Sequence, residues 1–183
     1  MEDISLHILD IAENALNARA NRIEIHINED IERDLLKIQI IDNGNGIDEK
    51  MIQSATDPFV TTRTERRVGL GLPLLAESAR MTGGDIHIKS DPGKVTSIEA
   101  DFVYSSVDRK PLGDIVRTMM VLIAGNPDVD FNYYHQKGES IYCLDTAELR
   151  RHLEEIPINH PDVINLIKKD LEEGLKDIGV IFY

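Results

Sequence analysis

Leu36-Lys37-Ile38-Gln39-Ile40-Ile41-Asp42 constrains the chain more than any other run, because its alternation ends on a carboxylate. In a strand, alternate residues share a face, so Ile38, Ile40 and Asp42 point together toward a core. An inward acid at a strand end is costly unless something hydrogen-bonds it. Asn43-Gly44-Asn45-Gly46-Ile47 follows at once. Two readings fit. Asp42 caps its own Asp-Asn-Gly turn, or it is a buried acceptor beside a glycine-lined gap that admits a flat ligand with an exocyclic amine, such as adenine.

The segments before it supply a partner strand and a helix. Arg22-Ile-Glu-Ile-His-Ile-Asn28 alternates cleanly and reads as a half-buried strand, with Asn28 to Asp34 a charged turn between the two. Residues 4–20 read as a helix capped by Asp3, with an apolar stripe of Leu6, Leu9, Ala12 and Leu16. Asp10, Asn14 and Asn17 fall on one face at helical spacing. Such a face is either simply solvated or a site: an Asn oxygen suits Mg²⁺, and a carboxylate one turn earlier is placed to activate a water.

Downstream, residues 48–68 lack periodicity and hold Arg63, Arg66 and Arg67, which read either as solvated charge or as phosphate contacts from a lid. Val68-Gly69-Leu70-Gly71-Leu72-Pro73 opens a helix whose buried stripe is Leu72, Leu75, Ala76 and Ala79, ended by Gly83-Gly84. A glycine-rich loop feeding a helix N-terminus offers free N–H groups to a polyphosphate. Asp85 to Ser90 and Thr96 to Tyr104 read as strands. Thr96, on the face of Ile98, Ala100 and Phe102, either caps its strand or lies beside a buried ligand.

The order of Asn14 on a helix, Asp42-x-Gly-x-Gly, Pro58-Phe59 with Thr61-Thr62, and Gly69-Leu-Gly-Leu72 resembles the GHKL ATP-binding superfamily of gyrase, heat-shock chaperone ATPases, MutL and sensor histidine kinases. The resemblance implies an α+β fold. Residues 1–104 form a two-layer α/β sandwich of the Bergerat type with a mixed sheet, and residues 105–183 a small α+β appendage. It implies ATP and Mg²⁺ as cofactors and Asn14 as metal ligand. The cofactor-binding set is Asn14, Asn17, Asp42, Gly44, Gly46, Ile47, Thr61, Thr62, Arg63, Gly69, Leu70, Gly71, Leu72 and Thr96. Asp10 stands as the catalytic candidate, where hydrolysing members carry the longer Glu. The kinase-like Gly-x-Gly-Thr is one glycine short in Gly93-Lys94-Val95-Thr96. No phosphoacceptor His on a helical hairpin precedes the nucleotide domain, so the expectation is a histidine-kinase-like regulator that phosphorylates or switches a separate protein partner. A slow ATPase switch and a nucleotide sensor without turnover are the alternatives.

Beyond residue 104, Leu112 to Ala124 reads as a helix, Phe131–His135 and Ser140–Leu144 as a hairpin, and Asp145 with Glu148 as a capping box. Pro161 opens a last helix. This part resembles the tails of stand-alone histidine-kinase-like ATPases found with iron hydrogenase gene sets, which implies regulation in redox metabolism. The net charge of −13 argues against nucleic acid or an anionic membrane as a broad partner. One cysteine, Cys143, excludes an internal disulfide, and the expected setting is cytoplasmic.

Overall fold

The computed structural model describes residues 3–47, 49, 52 and 71–181. Helix α1 (Ile4–Asn17) begins where the Asp3 carboxylate accepts from the Leu6 N–H at 3.0 Å and stops where Arg19 turns to φ 65°. Strands β1 (Arg22–Asp30) and β2 (Leu35–Asp42) follow as an antiparallel pair, both alternating buried and half-exposed residues. Helix α2 (Gly71–Met81) buries Leu72, Leu75, Ala76 and Ala79, the expected stripe, and Gly83 leaves it at φ 92°. Strands β3 (Ile86–Asp91) and β4 (Val95–Val103) then form a second hairpin.

Helix α3 (Ile115–Gly125) starts three residues later than Leu112, because the Asp114 side chain accepts from the Arg117 N–H at 2.8 Å and so caps the helix at that point. Strands β5 (Asp130–Lys137) and β6 (Ser140–Asp145), helix α4 (Thr146–Leu153) with Asp145 as its cap, and helix α5 (Pro161–Asp177) complete the chain.

All six strands make one mixed sheet in the order β3-β4-β2-β1-β5-β6. Its pairings are antiparallel except β1 with β5. Helices pack against one another across the layer, α2 on α1, α1 on α3, and α3 on α5. The result is an α+β fold of two layers. The core is one contiguous set drawn from the inward strand positions, such as Ile25, Ile38, Phe102 and Tyr133, and from the helices above them. The boundary expected near residue 104 falls between β4 and α3, and both sheet and core run across it.

The stripe expected on α1 is corrected. Its buried side is Ile4, Ile8, Ile11, Ala12 and Ala15, while Leu6 is exposed and Leu9 and Leu16 only flank the core. This helix lies between α2 and α3, and Leu6, Leu9 and Leu16 form an apolar line that competes with Ile4, Ile8 and Ile11, so periodicity alone did not fix its rotation.

Glu29 holds the inward position after Ile23, Ile25 and Ile27. It accepts from His135 Nε2 at 2.9 Å and from the Tyr104 hydroxyl at 2.9 Å, and His135 Nδ1 meets the Tyr133 hydroxyl at 2.7 Å. This buried chain ties β1 to β5 at the end of β1 remote from Asp42.

Candidate functional site

Asp42 is 6% exposed at the end of β2, with Ile23 and Thr96 as its register partners on either side. Its Oδ1 accepts from the Gly44 N–H at 2.8 Å, so the turn-capping reading describes one oxygen correctly. The other oxygen has no hydrogen-bond donor among the described residues. Burial pushes the carboxyl above its ordinary range, and the Gly44 N–H opposes that only in part. A carboxylate bonded on one oxygen can accept one further donor.

The loop after Asp42 is held on two sides. Asn43 Oδ1 accepts from the N–H groups of Asn21 and Arg22, both at 3.0 Å. The Asn45 N–H reaches Ala18 O at 2.8 Å, and the Gly93 N–H reaches Asn45 O at 3.0 Å. Both glycines are dictated by close approach. A Cβ at Gly44 would lie 2.9 Å from Ala18 O and 2.9 Å from Asp42 Oδ1. At Gly46, with φ +83°, it would lie 2.8 Å from Pro92 Cα and 3.0 Å from Ser90 Oγ. The space these glycines free is filled by the protein itself, which packs the loop against α1 and the β3–β4 turn.

Thr96, 2% exposed, stands across β2–β4 from Asp42, and its Oγ1 lies 3.1 Å from Ser90 Oγ. Ser90 Oγ also accepts from the Ile47 N–H at 2.9 Å. Ile47 is partly buried against the core. Sequence reasoning overlooked Ser90. Its signal was a hydroxyl on the same strand parity as Ile86 and Ile88.

On α1, Asn14 is half-buried and its Nδ2 donates to Asp10 Oδ2 at 3.3 Å, while Asn17 is exposed. With the amide nitrogen engaged, the carbonyl oxygen is the Asn14 group left to accept, and an amide oxygen is chemically suited to Mg²⁺. Asp10 touches the start of α2: a Cβ on Gly71 would land on its carboxylate. Leu72, next in α2, is buried in the core, so any ligand contact there is through its backbone. Ala18 meets Gly44 and Asp10 meets Gly71, so α1 spans from the Asp42 loop to the α2 N-terminus, about 12 Å at the helical rise. Thr61, Thr62, Arg63, Arg66, Arg67, Gly69 and Leu70 lie outside the described residues.

Among the described residues no group of three or more His, Cys, Asp or Glu is placed to hold a metal ion, and no helix is long and apolar enough to cross a membrane.

Comparison with known proteins bears on the same region. The family described as histidine kinase-, DNA gyrase B-, and HSP90-like ATPase matches residues 2–105. Sporulation kinase D of Bacillus subtilis (strain 168) is 33% identical over 91 residues, covering 50% of this chain and 18% of that kinase. The alginate biosynthesis sensor protein KinB of Pseudomonas aeruginosa is 34% identical over 86 residues, 46% of this chain and 14% of that protein. The chain therefore spans less than a fifth of the length of these curated relatives. Among solved structures, the N-terminal domain of a DNA repair protein superposes with a TM-score of 0.51 at 14% identity, over 79% of this chain and 52% of that one, a likeness of fold.

Proposed function

The chain belongs to the histidine kinase-, DNA gyrase B-, and HSP90-like ATPase family and carries that family's ATP-binding domain over residues 2–105. On that premise we propose that it is a regulator that holds Mg·ATP along α1 and phosphorylates or switches a separate protein partner. The observation that carries the reading is Asp42, a buried carboxylate with one oxygen bonded by Gly44 and the other without a donor among the described residues, which supports an adenine amine as its partner.

Each residue then has a role. Asp42 and Thr96 recognise the base, and Gly44, Gly46 and Ile47 shape the wall beside it. Asn14, on the helix turn between base and phosphates, presents its oxygen to Mg²⁺, with Asn17 exposed one turn on. Mg²⁺, when bound, neutralises phosphate charge and orients the phosphoryl groups. Gly71 and Leu72 offer backbone N–H groups to the phosphates, and the remaining phosphate contacts are assigned to Gly69, Leu70, Thr61, Thr62 and Arg63, which lie outside the described residues. Residues 1–104 form the nucleotide-binding unit, and residues 105–183 present it to the partner.

Asp10 is the carboxylate that accepts a hydrogen bond from Asn14. It also packs on Gly71, and it is one methylene shorter than the Glu of hydrolysing members, which sets it back from an attacking water. Hydrolysis is therefore slow, and transfer to a partner or conformational switching is favoured. Incubating the protein with γ-labelled ATP, with and without proteins encoded near its gene, separates these cases. Label on a partner supports transfer. Free phosphate released briskly by the protein alone identifies an ATPase switch, and ATP binding without either outcome identifies a sensor.

A further inference from the structure

Ser90 belongs to none of the motifs that led to the site, yet three contacts converge on it. Its Oγ accepts the Ile47 N–H at 2.9 Å. It lies 3.1 Å from Thr96 Oγ1 across the β3–β4 register pair. It also approaches Gly46 so closely that a Cβ there would stand 3.0 Å away. Asp42, Thr96 and Ser90 thus sit side by side on β2, β4 and β3.

A serine hydroxyl has one proton and two lone pairs. With one lone pair held by the Ile47 N–H, Ser90 keeps its proton and a second lone pair for the 3.1 Å contact with Thr96 Oγ1, in which either hydroxyl can donate; in the arrangement in which Ser90 donates, the Thr96 proton is free for a ligand acceptor. An acceptor at Asp42 beside a donor at Thr96 matches adenine, whose amine donor adjoins a ring-nitrogen acceptor. Guanine presents the opposite pair, a carbonyl acceptor beside an N–H donor. Hydrogen-bonding sites discriminate by leaving the wrong partner unpaired.

We infer that Ser90 is a positioning residue of the base pocket, which fixes the Gly46–Ile47 wall and sets the direction of the Thr96 hydroxyl, and thereby the preference for adenine over guanine. This rests on the ATP reading above. Ser90→Ala removes both bonds at once, leaving the Ile47 N–H without its acceptor and the Thr96 hydroxyl free to rotate. ATP affinity is expected to fall about tenfold, and the ATP:GTP affinity ratio at least about threefold. Ser90→Thr keeps the hydroxyl on a strand-compatible side chain and restores both values.

The test is calorimetric titration of the wild type, Ser90→Ala, Ser90→Thr and Asp42→Asn with Mg·ATP and with Mg·GTP, alongside each protein's melting temperature. Loss of affinity and selectivity in Ser90→Ala, rescued in Ser90→Thr, is the expected result. Unchanged ATP affinity and ratio in Ser90→Ala, with binding lost in Asp42→Asn, overturns the role of Ser90 and leaves the ATP site intact. Equal loss of ATP and GTP affinity together with a lowered melting temperature makes Ser90 merely structural and overturns the inference as well. If the wild type binds ATP no better than Asp42→Asn does, the site reading fails and the inference with it.

Discussion

His7 lies on α1 with no solvent exposure, and neither of its ring nitrogens has a hydrogen-bond partner among the described residues. Burial, reinforced by the nearby Lys110 charge, pushes it down from 6.5 to about 4. At neutral pH it is an uncharged ring with two unsatisfied polar atoms in the core, a condition that costs about 1–3 kcal/mol per group. His7→Leu keeps the volume roughly constant and removes the polar atoms. It should stabilise the fold by about 1–2 kcal/mol at a pH of about 8, allowing for imperfect repacking. The pH dependence follows from linkage. The unfolded chain takes up a proton at His7 as pH falls through 6.5, and the folded chain does so only near 4. The unfolded state therefore binds more protons in that window, and folding stability falls as pH falls. The two values correspond to about 3 kcal/mol lost across it. The leucine variant lacks this loss, so its advantage should widen to about 4–5 kcal/mol near the acid end. Urea unfolding followed by far-ultraviolet circular dichroism at several pH values measures both quantities, and taking differences cancels the other histidines. A leucine variant no more stable than the wild type at the alkaline end, with an advantage that stays flat on acidification, would refute the reasoning.

Four other perturbations have definite expectations. Gly71→Ala should cost about 1–3 kcal/mol because its methyl meets the Asp10 carboxylate; adding Asp10→Ala should recover most of the loss, and strictly additive unfolding energies would contradict the contact. Gly174→Ala drives a methyl into the Tyr142 ring beneath α5, so amide exchange in β6 should accelerate while exchange in β3 does not. His135→Phe removes a hydrogen bond and a charge that, together with Lys137 and Tyr104, outweigh burial and hold Glu29 below the usual carboxylate range. The stability contributed by that lowered value is present above the ordinary range and lost as pH falls through it, so the variant should acid-unfold at higher pH, read by circular dichroism. Burial raises the Asp42 carboxyl, so ATP affinity should weaken on acidification before ordinary carboxylates titrate, and calorimetry between about pH 7 and 4.5 tests this.

Much of the fold was legible because strong local signals agreed with tertiary context. The alternation of β1 and β2, the caps at Asp3 and Asp145, and the exit at Gly83 all appear where the residue types put them. The rotation of α1 was not legible, since Leu6, Leu9 and Leu16 compete with Ile4, Ile8 and Ile11 and only the neighbouring helices choose between them. Nor was the joining of β5 to β1. A parallel pairing between strands about a hundred residues apart has no turn to announce it. The site divides the same way. Asp42 is visible from parity, whereas Asp10 against Gly71 and Ser90 under Ile47 are contacts between distant segments that no spacing encodes.

Parity nevertheless held more than was taken from it. Glu29 follows Ile23, Ile25 and Ile27 just as Asp42 follows Ile38 and Ile40, so each of two paired strands ends on an inward carboxylate. Assigning Glu29 to a charged turn concealed the likeness. The structure treats the two acids in opposite ways. Glu29 takes His135 on one oxygen and Tyr104 on the other, with Lys137 at 3.8 Å, and its carboxyl is held below the ordinary range despite burial. Asp42 takes only the Gly44 N–H, and burial prevails to push its carboxyl up. A buried carboxylate satisfied from all sides by its own chain is a structural element, and here it secures β5 to β1. One left half-satisfied carries a standing cost of desolvation, about 1–3 kcal/mol for an unmade bond and more when charged. A further donor at that oxygen would lower this cost. The same physical test thus separates two acids that the sequence presents alike, one fully bonded by its own chain and one bonded on a single oxygen among the described residues, which is the property the proposed adenine contact at Asp42 uses.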